Sequence, residues 1–202
     1  MTIVYHSGET RSRRVLWVLE ELGVPFEGRP VRFPARYLQP EYLEVSPTGM
    51  LPALQDGPVL LTESLAICEY LAVKHGGERL IVEPDEPYWT DYLQFLHYGE
   101  ASLAASVAPI VRYGMLEPEP RRLPQVVQTY REIFIDRLEP IRRALADGRE
   151  HLAGRFSLAD VSVGYGLRLA ALLGMGEHLT GELKAYDDRL RARPAYQRAH
   201  AA

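Results

Sequence analysis

Apolar positions at Val15, Leu16, Leu19 and Leu22 recur at i, i+1, i+4 and i+7, which predicts a helix over Ser12–Leu22. Gly23 and Pro25 punctuate its end. The flanking runs, Thr2–Tyr5 and Phe26–Phe33, have strand length and composition. A strand, a helix and a strand in this space predict a βαβ unit with a parallel pair. Residues 34–47 carry no period and read as irregular, with one helical turn expected at Pro40–Val45. Two short strands follow, Ala53–Leu54 and Val59–Leu61, turned by Gln55-Asp56-Gly57-Pro58. Ser64–His75 is the next predicted helix, stopped by Gly76-Gly77.

After this β-α-β, β-β-α order the pattern changes. Two prolines and three carboxylates in residues 81–87 read as a linker. Everything beyond reads as helical. Trp89, Tyr92, Leu93, Leu96 and Leu103 mark a helix over Tyr88–Tyr113, and Glu117-Pro118-Glu119-Pro120 marks a loop. Pro124–Ala146 is kinked or split by Pro140. A last helix, Tyr186–Ala199, is interrupted at Pro194. Ser157-x-x-Asp160 is a capping-box pattern, with Phe156 and Val161 placed for a hydrophobic staple. The expected organisation is α/β plus all-α: a thioredoxin-like domain at 1–80, a linker at 81–87 and an all-helical domain at 88–202.

Composition narrows the function classes. A net charge of −4 argues against general nucleic-acid binding. Cys68 is the one cysteine, so there is no intramolecular disulfide and no Cys-x-x-Cys redox pair. No apolar run is long enough to span a membrane, and residues 1–6 lack the regions of a signal peptide. The chain is expected to be cytoplasmic.

The stretch Gly49-Met50-Leu51-Pro52 running into an apolar strand is unusual. Proline cannot donate to a strand ladder, so Pro52 belongs just before Ala53-Leu54. The spacing leaves the isomer of the Leu51–Pro52 bond open. The string Ser46-Pro47-Thr48-Gly49-Met50-Leu51-Pro52-Ala53-Leu54, followed by Leu61-Thr62-Glu63-Ser64, resembles the glutathione-binding half of cytosolic glutathione S-transferases. The segments Gly154–Val161 and Arg191–Tyr196 are similar to that family's second domain, so the resemblance covers nearly the whole chain. It implies a cis Pro52, the Leu51 backbone on the cysteinyl part of glutathione, and Glu63 and Ser64 on the γ-glutamyl end. It also implies a homodimer and an enzyme of detoxification that conjugates glutathione to small hydrophobic electrophiles.

Such an enzyme must hold the glutathione thiol as a thiolate. A free thiol titrates near ~8.5. Lowering that by about two units takes about 2.7 kcal/mol. A helix N-terminus supplies roughly 0.3–1 kcal/mol, and a hydrogen bond to a charged group roughly 1.5–3 kcal/mol. A hydroxyl or amide donor is therefore needed where the first helix begins. Ser7, Thr10, Ser12 and Tyr5 all qualify by position; Thr10 and Ser12 match a Ser-Arg-Ser-x-Arg pattern of microbial relatives, with Thr10 in place of the first serine. Either would serve equally as a plain helix N-cap. The absence of cysteine before Cys68 excludes thiol chemistry by the protein itself in this loop.

Other candidates are Arg11, for a glutathione carboxylate or the thiolate, and Gln39, for the glycyl end. Arg13 reads either as a site residue or as a surface ion pair with Glu20 or Glu21. Ser64 doubles as a helix-cap candidate. Glu9 would disfavour a thiolate unless an arginine offsets it, and Met50 replaces a polar residue. Tyr98, Ser102 and Tyr113 are the electrophile-pocket candidates, expected between the domains. No residue spacing suggests a metal. The alternatives are an isomerase, dehalogenase or peroxidase using the same thiolate, or a transferase-fold interaction module without catalysis.

Overall fold

The computed structural model describes residues 1–201, which form two compact units: residues 1–81 with 191–201, and residues 82–190. The first is built on a four-stranded sheet in the order β2-β1-β3-β4. β1 (Thr2–His6) runs parallel to β2 (Glu27–Pro30) and antiparallel to β3 (Ala53–Asp56), which pairs with β4 (Val59–Leu61). The crossover between β1 and β2 is α1 (Ser12–Leu22), with the predicted bounds; left-handed Gly23, at φ 66°, closes it by sending its N–H to Leu19 O.

Strand alternation sorts the sheet's faces. Val4 and its partner Leu54 are fully buried on one face. Their neighbours Tyr5 and Ala53 face the other way, over a cluster of Val31, Ala35, Tyr42 and Leu51. α3 (Ser64–Lys74) packs on α1, burying Ile67, Cys68 and Leu71. The second strand is shorter than the expected Phe26–Phe33. Its ladder ends with Val31 N–H on His6 O (2.7 Å), and the chain then turns at a cis Phe33–Pro34 bond. The stretch expected to be irregular holds a short helix, α2 (Ala35–Leu38), and its expected helical turn is a 3-10 helix at Pro40–Glu44.

The second unit is helical: α4 (Trp89–Tyr98), α5 (Ala105–Val111), α6 (Pro124–Asp136), α7 (Glu139–Leu145), α8 (Leu158–Leu172) and α9 (Gly181–Arg191, whose last residue falls in the first unit). Pro140 splits rather than kinks its segment, because proline is tolerated in the first turn of a helix. π-helical stretches at Gly99–Ala104 and Arg112–Leu116 flank α5. The first leaves the Ser102 carbonyl to an Arg137 N–H (2.7 Å) and the Ser106 hydroxyl (2.6 Å). α8 is buried along most of its length. It begins in the predicted capping box, with both Ser157 N–H (2.9 Å) and Ser157 Oγ (3.2 Å) on one Asp160 oxygen. Leu152 N–H (3.1 Å) and Tyr186 OH (2.8 Å) donate to the other oxygen. Among the described residues, no helix is long and apolar enough to cross a membrane.

The last helix, α10 (Pro194–Ala201), belongs to the first unit, whereas the sequence pattern placed it with the helical domain. It lies on α1: Tyr196 meets Trp17 edge-on (4.9 Å), Arg193 chelates Glu21 (2.7 and 2.9 Å), and Arg198 donates to Glu20 (2.5 Å).

Candidate functional site

The register brings four chain segments to one end of the sheet. β1 ends at His6 beside the end of β2 at Pro30, next to the start of β3 at Ala53 and the end of β4 at Leu61. The loop 7–11, the turn at Leu51–Pro52, the start of α3 and the segment leading to α2 therefore emerge together. Thr10, Arg11, Ser12, Gln39, Leu51, Pro52, Glu63 and Ser64 all sit at this end.

Thr10 and Ser12 form a hydroxyl pair at 2.6 Å. Thr10 also donates to Ser7 O (2.7 Å), and Ser12 Oγ accepts from Ser7 N–H (3.4 Å). Since a carbonyl only accepts, the Thr10 proton goes to Ser7 O and the Ser12 proton to Thr10 Oγ1. Ser12 is fully buried, whereas Thr10 is half-buried. Only Thr10 can meet a ligand. The plain N-cap role does not hold for either residue, because the cap of α1 is Arg11 and it makes no side-chain capping bond.

Tyr5 is committed elsewhere. Its hydroxyl accepts from Arg29 (3.2 Å) and donates to Gln55 Oε1 (3.5 Å). Arg13 is not a surface partner of Glu20 or Glu21, which α10 engages instead. Its side chain is buried, donates to Ala199 O (2.6 Å) and lies 3.7 Å from Glu9, so Glu9 is offset by a fixed cation. Burial, aided by the charge of Arg13, lowers the pKa of the nearby His6 imidazole below its usual value.

The Leu51–Pro52 bond is cis. The Leu51 side chain is buried in the cluster beneath the sheet, while its main-chain N–H and C=O make no hydrogen bond among the described residues. The preceding peptide is fixed by two residues that the sequence pattern does not single out. Tyr42 OH (3.0 Å) and Ser46 Oγ (3.1 Å) both donate to Met50 O. Burial pushes the Tyr42 phenol up to about 12, so it stays a donor. Their signal was local: each lies within eight residues of Met50, on the turn that leads into it.

Glu63 is the N-cap of α3, exposed and without a side-chain capping bond. Ser64 is the first helical residue rather than the cap; its buried hydroxyl accepts from Arg14 (3.2 Å). The first N–H groups of α3 have no intrahelical acceptor, and with Ser64 they make a receptor for an anion. Gln39 Oε1 accepts from Arg32 N–H (3.0 Å), which leaves its amide N–H groups as the free donors.

Two of the three pocket candidates meet at Arg137. Tyr98 OH donates to Arg137 O (2.9 Å) and Ser102 O accepts from Arg137, both inside the helical unit. Tyr113 instead lines a groove of about 520 Å³ with Ala108, Pro109, Arg112, Leu123, Val126 and Tyr130. Among the described residues, no group of three or more His, Cys, Asp or Glu could hold a metal ion.

Residues 10–74 match the family model for the glutathione S-transferase N-terminal domain. Glutathione S-transferase A of Pleuronectes platessa is 30% identical over 201 residues, covering 96% of this chain and 88% of that protein. A solved glutathione transferase of Methylococcus capsulatus superposes with a TM-score of 0.86 at 25% identity, over 100% of this chain and 98% of that one. A glutathione transferase of Phanerochaete chrysosporium, solved in complex with oxidized glutathione, gives a TM-score of 0.83 at 27% identity over 98% and 94%.

Proposed function

The chain belongs to the glutathione S-transferase family, and we propose that its thiolate-forming centre is the Thr10–Ser12 hydroxyl pair. The protein is a glutathione transferase, and the geometry of the site supports one division of the work among its residues. The observation that carries the proposal is the proton order of the pair, Ser12 to Thr10 to Ser7 O.

Glutathione lies against the sheet end with its cysteinyl main chain on the free N–H and C=O of Leu51, next to Pro52. Its γ-glutamyl carboxylate meets the start of α3 and the Ser64 hydroxyl, and its ammonium meets the exposed Glu63 carboxylate. Gln39 offers amide N–H donors to the glycyl carboxylate, and Arg11 adds positive charge at the N-terminus of α1. The thiol loses its proton to solvent, and the thiolate competes with Ser7 O for the Thr10 proton. A charged acceptor makes the stronger bond, so the Thr10 hydroxyl turns to sulfur. Ser12, still donating to Thr10 Oγ1, strengthens that donation and keeps the oxygen in place. Thr10 is thus the catalytic residue and Ser12 a positioning residue. The thiolate attacks an electrophilic carbon, a C–S bond forms, and a leaving group departs with its electron pair or the double bond takes up a proton. Positioning supplies a large part of the rate gain.

We assign small hydrophobic electrophiles as co-substrates, with Tyr98, Ser102 and Tyr113 as the pocket residues, of which Tyr113 lines a groove of the helical unit. A homodimer is also part of the proposal. The exposed apolar side chains Phe33, Tyr37, Leu38, Leu60 and Val73 offer surface for a second copy, and gel filtration at twice the 22.9 kDa chain mass would support it. The buried Cys68, its thiol pushed up to about 12 by burial, suits a reducing cytoplasm.

The test is a glutathione titration well below the free thiol's ~8.5, following thiolate absorbance in the ultraviolet. Thiolate should rise in proportion to bound glutathione. Binding without thiolate would remove Thr10 from catalysis, and no binding would remove Leu51, Glu63 and Ser64 as well.

A further inference from the structure

We propose that Arg14 is a positioning residue for glutathione, acting through Ser64. This rests on the reading that Ser64 takes the γ-glutamyl carboxylate.

Arg14 follows Arg11, Ser12 and Arg13 in the first turn of α1, yet it is among the largest side chains with no exposure at all. It lies between α1 and α3, with Nη1 3.2 Å from Ser64 Oγ. A guanidinium has donors only and stays charged at every working pH. Ser64 Oγ must therefore accept from Arg14. That occupies one of its lone-pair directions on the buried side and bars the serine proton from pointing there. With 4% of Ser64 exposed, the proton is left to the open side, at the first turn of α3. A serine so held offers a donor to whatever lies there, and it suits an anion better than a cation. The ammonium of the γ-glutamyl end is left to Glu63, one residue away, whose carboxylate is exposed. Arg14 thus sets which of two adjacent side chains takes which charge of a zwitterionic end group. It never touches the ligand.

The experiment is a double-mutant cycle on the full chain with Arg14→Met and Ser64→Ala, reading dissociation constants by calorimetry. Two probes are used: glutathione, and γ-aminobutyryl-cysteinyl-glycine, which lacks only the carboxylate in question. Arg14→Met should weaken glutathione about tenfold, leave the analogue within about twofold, and cost nothing further once Ser64 is alanine. Thermal melts accompany each variant; if Arg14→Met does not fold, Arg14→Lys, which keeps a shorter cationic donor, runs the same cycle and should lose about half as much on the logarithmic scale. Equal loss for both probes, or losses that add in the double variant, would show a role in packing alone and overturn the proposal. A silent Ser64→Ala would overturn the carboxylate assignment beneath it, whatever Arg14 does.

Discussion

The Thr10–Ser12 pair gives the sharpest residue-scale prediction, because the proposal gives the two hydroxyls different tasks. Thr10→Val removes a hydrogen bond to a charged acceptor, about 1.5–3 kcal/mol. That raises the pKa of the bound thiol by about one to two units. Below the thiol pKa the rate follows the thiolate fraction, so the ascending limb of kcat/KM against pH should move to higher pH by that amount, with its plateau largely kept. Well below the midpoint of the parent's ascending limb the loss is then roughly 10- to 100-fold, and it shrinks toward the plateau. Ser12→Ala removes only the support behind Thr10 and should cost a few-fold. Tyr5→Phe should leave the profile in place, since the Tyr5 hydroxyl is held by Arg29 and Gln55. Unchanged profiles for both Thr10→Val and Ser12→Ala would sink the assignment. The residue types were legible in the sequence; the proton order was not, since it depends on burial and on Ser7 O. Nor was the role of Arg14 legible, because among three arginines within four residues the pattern favoured Arg11 and does not show which one is buried.

At the scale of elements, two aspartates tie helices and strands together. Asp160 was legible from Ser157-x-x-Asp160 as a local cap, but Tyr186 and Leu152 join it only in the folded unit. Asp160→Asn keeps the volume but turns an amide N–H toward groups that donate. Each donor left unsatisfied costs about 1–3 kcal/mol. Urea unfolding should therefore show a loss near the upper end of that range or beyond it; a loss below ~1 kcal/mol would mean the box is dispensable. Asp56, at the end of β3, accepts from Lys74 and Tyr70 of α3 and Thr2 of β1. Lys74 foremost holds its carboxyl below the usual value of 3.8. A carboxyl depressed on folding contributes stability above its unfolded value and loses it as the pH falls through the lower folded value. Because Lys74 is well exposed, the contribution is at most about 1 kcal/mol. Asp56→Asn should flatten the fall in urea midpoint between neutral pH and pH 3; a parent-like fall would refute the linkage. Other elements escaped the sequence for a simple reason. The π-helical stretches at Gly99–Ala104 and Arg112–Leu116 keep an apolar spacing that a plain helix would also show.

The scale of the whole chain is where local pattern says least. Residues 186–199 read as one last, interrupted helix of a helical domain, and only contacts across 186 positions of sequence, such as Arg13 Nη1 to Ala199 O, reveal that residues 191–201 complete the first unit. Those contacts reach toward the loop 7–11. Trp17, 1% exposed, is covered by Tyr196, and Arg13, which offsets Glu9, is anchored on α10. Deleting residues 192–202 should therefore act in two places. Uncovering Trp17 costs apolar burial of about 25 cal/mol per Å² exposed, together with the Arg193–Glu21 pair, and lowers the melting temperature of the first unit. In a Trp89→Phe background, Trp17 becomes the single tryptophan, and its emission should shift to the red on truncation. Releasing Arg13 leaves Glu9 with less compensation beside the loop, so the bound thiol should become harder to ionise and the ascending limb of the pH profile should move upward. Arg13→Met in the full chain separates the two effects: it should move the limb while leaving the Trp17 emission near that of the parent. If truncation reddens Trp17 but leaves the limb where it was, α10 is a cover for α1 and has no part in the chemistry at Thr10.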